Sequence, residues 1–179
     1  MMANAIILTD DLLDKIECKT SHGLILGQSR YVIVGVIDKC HAGKDAGLVI
    51  ANIEKNIQVF STVGESIQQL GSKPDFCVVG VAPIGGKFSE TLVQTIVEAV
   101  SLGINIVSGL HQLLNDHPGI APLAKENGVQ LIDIRKPKKA EQLKMWSGQI
   151  SSLKTPRIAV IGTDCAIGKR TTAGLLLAL

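Results

Sequence analysis

The segment with the clearest chemistry is RIAVIGTDCAIGKRTTAGLLLAL, residues 157–179. A β-branched apolar run at 157–161 leads into a glycine-rich loop, and a short apolar helical pattern follows. Such a loop binds phosphate when a strand delivers it, glycines let backbone N–H groups point inward, and a helix N-terminus with a lysine follows. We therefore predict a phosphate- or nucleotide-binding loop made by Gly162, Thr163, Asp164, Cys165, Gly168, Lys169, Arg170 and Thr171.

This loop departs from the usual pattern GxxxxGK[ST] at two points. Gly162 and Gly168 are separated by five residues rather than four, and Arg170 stands where a magnesium-binding hydroxyl normally follows the lysine. Thr171 is then the candidate magnesium ligand. Two alternatives stay open. The first is that the loop is a glycine-rich turn that binds no ligand. The second concerns Cys165, which is either a small packing residue or a catalytic thiol.

A second candidate site follows an apolar run in VIDKCHAGKDAG, residues 36–47. Asp38 ends the predicted strand, and a helix beginning near Lys44 would offer N–H groups to a carboxylate or phosphate. We predict His41 as a candidate catalytic base, with the candidate substrate-binding residues Asp38, Gly43, Lys44 and Asp45. The alternative is that the two aspartates are turn and N-cap residues and that the histidine lies on the surface.

A third candidate site lies at the end of the strand predicted at Phe76–Ala82, in VGVAPIGGK, residues 79–87. Gly85 and Gly86 permit a tight anion-binding turn, and Lys87 supplies a positive charge, so all three are candidate substrate-binding residues. His111 follows the predicted strand at 104–108 and is a second candidate general base. The alternatives are an ordinary strand-to-helix turn and a capping histidine.

The elements that position these residues alternate along the chain. Predicted strands are Ala5–Leu8, Tyr31–Ile37, Ile57–Ser61, Phe76–Ala82, Ile104–Ser108, Val129–Ile134 and Arg157–Ile161. Predicted helices lie near Asp45–Lys55, Gly64–Leu70, Phe88–Ser101, Leu110–Asp116 and Pro118–Asn127. This alternation predicts an α/β fold, a Rossmann-like parallel sheet with helices on both faces, followed by the start of a P-loop domain. Ligands then bind along the edge formed by the carboxyl ends of the strands.

Composition excludes several classes of protein. Hydrophobic residues make up 46% of the chain and aromatic residues only 3%, which suits a buried parallel sheet built from aliphatic side chains. A net charge of +2 gives no support for nucleic-acid binding. The four cysteines form no CxxC pair, which argues against zinc and fits free thiols in the cytoplasm. The apolar stretch at 91–110 is interrupted by Glu98 and Gly103, so we predict no membrane span.

We divide the chain into a Rossmann-like domain at 1–137, a linker at 138–156, and the first strand, loop and helix of a P-loop domain at 157–179. The basic linker, bounded by Pro137 and Pro156, is predicted to hold one short amphipathic helix. An apolar helix at the end of the chain needs further strands to pack against. We therefore expect the sequence to be the front part of a longer protein.

Several segments together resemble the DUF1611 family. They are KTSHGLILG (19–27), VIDKCHAGKDAG (36–47), VGVAPIGGK (79–87), SGLHQLLNDHP (108–118), IDIRKP (132–137) and GTDCAIGKRTT (162–172). The resemblance implies a Rossmann-like domain followed by a P-loop domain. The characterised branch of the family looks like D-glutamate N-acetyltransferases, which move acetyl from acetyl-CoA to the amine of D-glutamate. The loop itself is similar to the GTDxxxGKT loop of dethiobiotin synthetase, although Arg170 departs from that pattern.

Three functions stay open at this point. The first is an N-acetyltransferase that uses acetyl-CoA and a small anionic substrate such as D-glutamate. The second is an ATP- and magnesium-dependent ligase or kinase similar to dethiobiotin synthetase, and the third is a nucleotide-binding regulatory protein without catalysis. Arg170 in place of the magnesium-binding hydroxyl favours the first. We expect a cytoplasmic homo-oligomer that binds neither nucleic acid nor membrane.

Overall fold

The computed structural model describes residues 2–164 and 168–177, apart from the side chains of Ile84 and Arg170. Contacts divide the chain into two compact units, Met1–Lys136 and Pro137–Leu179. The first unit holds the sheet and the second holds the glycine-rich loop. Each is described by itself below.

The first unit is built on a six-stranded sheet in which every strand pair is parallel. The strands are β1 (Ala3–Leu8), β2 (Tyr31–Ile37), β3 (Val59–Phe60), β4 (Phe76–Val79), β5 (Asn105–Ser108) and β6 (Leu131–Asp133). Their order in the sheet is β3-β2-β1-β4-β5-β6, which is the order of doubly wound dinucleotide-binding folds. The predicted Rossmann-like α/β fold is confirmed.

Helices cover both faces of this sheet. They are α1 (Lys19–Leu26), α2 (Ala46–Ala51), α3 (Val63–Leu70), α4 (Glu90–Ser101) and α5 (Ala121–Glu126). The alternation of side chains along β1 assigns the faces, because successive residues of a strand point to opposite sides. Ile6 and Leu8 pack in the cluster that includes α3, α4 and α5, whereas Ile7 packs with residues of α1 and α2 on the other face.

Four strands, β3 to β6, are shorter than predicted, and in β3 and β4 tertiary hydrogen bonds take over the ends. The strand predicted at Ile57–Ser61 forms only at Val59–Phe60, since Ile57 O accepts from Ala46 N and Val59 N donates to Lys44 O. These bonds join the segment to the loop after β2 as an antiparallel bridge. The strand predicted at Phe76–Ala82 ends at Val79, and Ala82 N donates instead to Glu17 O.

One helix prediction was wrong, and one helix of the structure was not predicted. The helix predicted at Leu110–Asp116 is reduced to a 3-10 turn at Leu114–Asp116, because the N–H groups before it donate to Gly86 O and those within it donate to the carboxylate of Asp133. Helix α1 was not predicted. Its sequence, KTSHGLIL, carries a central glycine and no clear amphipathic period, and its Ser21 donates through both N–H and hydroxyl to Gly80 O.

The apolar stretch at 91–110 divides between α4 and β5 as predicted. Gly103 takes a φ of 72°, and its N–H donates to Val100 O, so the helix ends there. In the part of the chain that the structure describes, no helix is long and apolar enough to cross a membrane.

The described part of the second unit has little regular structure before its helix. The linker forms 3-10 turns at Ala140–Gln142 and Gln149–Ser152 instead of the predicted amphipathic helix, and Gly148, with a φ of 71°, stands between them. Residues 157–161, predicted as a strand, pair with no other strand among the described residues, and Ile158 and Ile161 are exposed. A strand needs a neighbour to take its backbone N–H and C=O groups, and no described segment supplies one. Helix α6 spans Lys169–Leu177, where a helical pattern was predicted.

Two buried thiols make the stability of the first unit sensitive to alkaline pH. Burial raises the pKa of the Cys18 thiol to about 12 and raises the pKa of Cys77 even more. In the unfolded chain both thiols ionise near their ordinary pKa of 9.0. The free energy of unfolding therefore has its full value below that pH and falls as the pH rises above it. We expect each thiol to lower the free energy of unfolding by about 1.4 kcal/mol per pH unit between pH 9 and the folded pKa.

Urea unfolding at pH 8, 9 and 10 measures this effect. Cys18→Ala and Cys77→Ala should each flatten the decline relative to the natural sequence, while Cys40→Ala, which removes an exposed thiol, should leave it unchanged. Equal declines in all four proteins would contradict the prediction.

Candidate functional site

The strand order fixes where a ligand site is expected in the first unit. In doubly wound sheets, ligands bind outside the carboxyl ends of the strands, near the point where the strand order reverses. Here that point lies between β1 and its neighbour β4. The loops after β1, β2, β4 and β5 lie at the carboxyl ends of the central strands, and they contain all the predicted site residues of this unit.

Asp38 follows β2 directly, and its side chain is fully buried. Its Oδ2 lies 2.7 Å from Thr9 Oγ1 and accepts a hydrogen bond from Leu13 N at 2.9 Å. Its Oδ1 accepts from His41 N at 3.1 Å and lies 2.8 Å from His41 Nδ1. Both oxygens are thus engaged within the protein, so this carboxylate joins the loop after β1 to the turn after β2.

His41 is held by that carboxylate at the end of a 3-10 turn, Lys39–His41. Its side chain is only 15% exposed, and it lines a shallow surface groove. The other residues lining the groove are Asp14, Gly43, Lys44, Asp45, Leu48 and Val49. A carboxylate at one imidazole nitrogen and a groove beside the ring form an arrangement that can accept a proton from a bound molecule.

The segment at 43–46 is organised by internal hydrogen bonds. Gly43 N donates to Val59 O, Lys44 N to His41 O and Ala46 N to Ile57 O, so these N–H groups are not directed at a ligand. Asp45 is the N-cap of α2 and accepts from the N–H groups of Leu48, Lys55 and Ile57. Desolvation alone would raise the pKa of Asp45, but the backbone donors outweigh it and lower that pKa. Lys44 is an exposed residue of this segment.

Gly85, Gly86, Lys87 and His111 come together as a second cluster, the glycine–histidine cluster. Both glycines have positive φ, at 81° and 62°. Gly86 O accepts from the N–H groups of His111 and Gln112. A Cβ on Gly86 would lie 2.5 Å from the ring of His111, so the ring packs directly on this glycine. Lys87 and His111 are exposed.

The two histidines follow different strands at the carboxyl edge of the sheet. His41 lies in the segment after β2, and His111 lies in the segment after β5. β1 and β4 lie between those two strands. Three strand spacings of about 4.8 Å separate β2 from β5 by roughly 14 Å. His41 has a buried carboxylate partner, whereas the ring of His111 forms no hydrogen bond within the described residues.

The sequence analysis missed the loop after β1. Thr9, Asp10 and Asp11 follow that strand, and Asp10 and Asp11 both have positive φ, at 54° and 58°. Asp10 Oδ2 accepts from Ser89 Oγ at 2.7 Å, while Asp10 Oδ1 is buried without a partner among the described residues. A small polar cavity adjoins this loop, lined by Leu8, Asp10, Asp11, Ile37, Lys39, Ser61, Thr91, Leu92 and Thr95. The signal in the sequence was the pair of acidic residues directly after the first strand.

Within the described residues, one group of side chains is close enough to bind a metal ion: Asp11, Asp38 and Cys40. The carboxylate oxygens of Asp38 already accept hydrogen bonds, and Asp11 Oδ1 accepts from Lys39 N at 2.6 Å. These contacts explain the proximity of the three residues without an ion. Thr171, the predicted magnesium ligand, lies exposed on α6.

The glycine-rich loop of the second unit has its expected helix. Gly168, with a φ of 88°, precedes α6, which begins at Lys169. Lys169 Nζ reaches back across the loop and donates to Asp164 O. Gly162, Thr163 and Asp164 are exposed, whereas Cys165 lies outside the described residues, as does the side chain of Arg170. The ammonium of Lys169 thus lies beside the loop with which it is predicted to bind phosphate.

Two family models match the chain. The model described as the Rossmann-like domain DUF1611_N, a domain of unknown function, matches residues 39–137. The model described as the P-loop domain of DUF1611 matches residues 144–178. A crystal structure of a DUF1611 family protein from Anabaena variabilis is similar, with a TM-score of 0.78 and 28% identity, over 96% of this chain and 47% of that one.

Two curated relatives carry the same name, D-glutamate N-acetyltransferase. The one from Tritonibacter scottomollicae is 38% identical over 96 residues, which are 54% of this chain and 28% of the relative. The one from a Pseudoalteromonas species is 35% identical over 105 residues, which are 59% of this chain and 30% of the relative. The matched stretch therefore spans less than a third of either curated relative.

Proposed function

The chain belongs to the DUF1611 family, and on this premise we propose that the protein is an N-acetyltransferase that moves acetyl from acetyl-CoA to a small acidic amino acid. D-glutamate is the first acceptor to test, because two relatives bear the name D-glutamate N-acetyltransferase. The observation that carries the proposal is the pairing of His41 with the buried carboxylate of Asp38 beside a surface groove.

The chemistry requires a base, because an amino acid presents its amine as an ammonium ion at neutral pH. In the proposed reaction, His41 takes one proton from the ammonium, and the neutral nitrogen attacks the thioester carbonyl carbon. The nitrogen of the tetrahedral intermediate gives up its second proton, the C–S bond breaks, and the CoA thiolate takes up that proton, so the products are the amide and CoA. His41 returns its own proton to solvent. Asp38 stabilises the imidazolium that forms.

The groove beside His41 supports recognition of an acidic acceptor. The exposed ammonium of Lys44 offers a cation to the substrate carboxylate, and Asp14, on the same groove, offers an acceptor to the substrate ammonium. Lys87, with Gly85 and Gly86, stays a second candidate for carboxylate binding. Gly43, by contrast, contributes a turn whose N–H donates to Val59 O.

The glycine-rich loop is proposed to bind the phosphates of CoA. Its backbone N–H groups and the ammonium of Lys169 suit a polyphosphate at the start of a helix. Arg170 adds a permanent positive charge at the position where nucleotide hydrolysis normally uses a magnesium ligand. Thr171 becomes relevant as a magnesium ligand if ATP is bound instead.

A free-thiol assay on the full-length protein tests the reaction. We expect CoA release from acetyl-CoA only when an acidic amino acid is present, with D- and L-glutamate, D- and L-aspartate and D-alanine as the panel. CoA release that is independent of the amino acid would indicate simple thioester hydrolysis. If ATP hydrolysis accompanies turnover of a carboxylate or amine and no CoA is released, the ligase alternative replaces this proposal.

A further inference from the structure

We propose that Asp38 is a positioning residue that fixes which ring nitrogen of His41 carries the hydrogen. The role of Asp38 in catalysis rests on the proposed acetyltransferase function. The position of the hydrogen on the imidazole ring does not depend on that function. The inference starts from the hydrogen bonds around one fully buried carboxylate. It differs from the substrate-binding role predicted for Asp38 from the sequence.

The contacts of Asp38 determine the direction of its bond to the imidazole. Leu13 N and His41 N are backbone donors, one to each carboxylate oxygen. Because both oxygens already accept backbone N–H groups, we infer that the 2.8 Å contact between Asp38 Oδ1 and His41 Nδ1 is a bond in which Nδ1–H donates. In the neutral ring the second nitrogen, Nε2, is then unprotonated and can accept a proton.

The carboxylate is itself held from two directions, which makes it a rigid support. Thr9 Oγ1 lies 2.7 Å from Oδ2 and 2.8 Å from Ile37 O, so its hydroxyl links the end of β1 to the end of β2. Leu13 N approaches from the loop after β1. The Asp38 side chain has no exposure to water. A buried acceptor with several fixed donors cannot turn away from the imidazole without leaving those donors unpaired.

The other charged groups near His41 do not offer the same support. Asp14 and Lys44 line the groove with His41, and Asp14 is paired with Lys15 at 2.7 Å. Asp45, at the same groove, uses both oxygens on backbone N–H groups. Asp38 is thus the carboxylate that contacts the imidazole nitrogen among the described residues.

The hydrogen position can be measured directly in the natural sequence. Nitrogen-15 NMR of the histidine rings, recorded above the pH at which His41 becomes neutral, distinguishes the two nitrogens. We expect His41 to show a single form with hydrogen on Nδ1, and His111, whose ring lacks a carboxylate partner, to show a mixture. Hydrogen on Nε2 of His41, or a mixture there, would overturn the inference whether or not the protein has acetyltransferase activity.

Asp38→Asn tests the consequence for turnover. An amide at this position replaces one acceptor oxygen with a donor, so an N–H group or His41 Nδ1 loses its acceptor. We expect kcat/KM for acetyl transfer to fall by about 10²- to 10⁴-fold, with the affinity for CoA unchanged and the single Nδ1–H form lost. Asp133→Asn is the matched control, because Asp133 also lies at the end of a strand and accepts from the backbone N–H groups of Leu114 and Asn115, but it lies outside the groove and does not contact the imidazole.

The outcomes separate the two proposals. A folded Asp38→Asn protein that keeps both its turnover and the Nδ1–H form would overturn the inference. Absence of acetyl transfer in the natural sequence, together with the Nδ1–H form, would overturn the proposed function and leave the positioning role supported. If Asp38→Asn does not fold, the measurement on the natural sequence decides.

Discussion

Replacing His41 with glutamine is expected to lower kcat/KM for acetyl transfer by about 10²- to 10⁴-fold, the usual contribution of a general base. Glutamine keeps the polarity of the side chain but cannot take up a proton, so the acceptor amine stays an ammonium ion and does not attack. The affinity for CoA should not change, because the change removes no group of the glycine-rich loop. Steady-state kinetics with varied acceptor, and calorimetry with CoA, measure the two quantities.

His111→Gln is the matched control for this experiment. It makes the same chemical change at the same edge of the sheet, on a ring that packs on Gly86 and has no carboxylate partner among the described residues. We expect a small effect on kcat/KM. A large loss from His111→Gln combined with full activity of His41→Gln would move the role of base to the glycine–histidine cluster.

Replacing Lys169 with alanine is expected to weaken the binding of CoA to the full-length protein by about 10- to 100-fold, which corresponds to the loss of one charged hydrogen bond. The ammonium now donates to Asp164 O across the loop. A phosphate oxygen is a charged acceptor, and the lysine is expected to exchange the carbonyl for it. Isothermal calorimetry with CoA and with ATP measures the loss and shows which ligand the loop prefers.

Lys154→Ala provides the comparison, since it removes the same charge from the exposed linker. It should leave the affinity for either ligand close to that of the natural sequence. Equal weakening by the two substitutions would mean that the lysine acts only through the overall charge of the region. Unchanged affinity for both CoA and ATP in Lys169→Ala would show that this loop is not the phosphate site.

The fold was predictable because its signals are local. Tyr31–Ile37 forms β2 with the predicted bounds, and Glu90–Ser101 forms α4 within the predicted helix. An apolar β-branched run between polar turns has few alternatives to a buried strand, and a run of twelve residues with a serine N-cap favours a helix. The glycine-rich loop before α6 was recognisable for the same reason, since its residues lie within one short segment.

The ends of several other elements were not predictable, because distant segments decide them. β3 is short since its flanking residues bond to the loop at Lys44 and Ala46, and the helix predicted near Leu110 is lost to bonds with Gly86 O and Asp133. In each case the competing donor or acceptor comes from another part of the sheet edge. Local propensity contributes a few tenths of a kcal/mol per residue, less than a buried hydrogen bond left unpaired would cost.

The sequence by itself determined the order and type of the main elements, the phosphate-loop pattern and the presence of chemically capable residues after the strands. The tertiary structure alone decided how those residues are used. Asp38 belongs to the network of His41 because β1 pairs with β2, which brings Thr9 and Leu13 against its carboxylate. Asp45 caps α2 through Leu48 N and also accepts from the N–H groups of Lys55 and Ile57, and the ring of His111 packs on Gly86. A periodic pattern records which face of an element is buried, but the partner of each polar atom depends on which strands become neighbours.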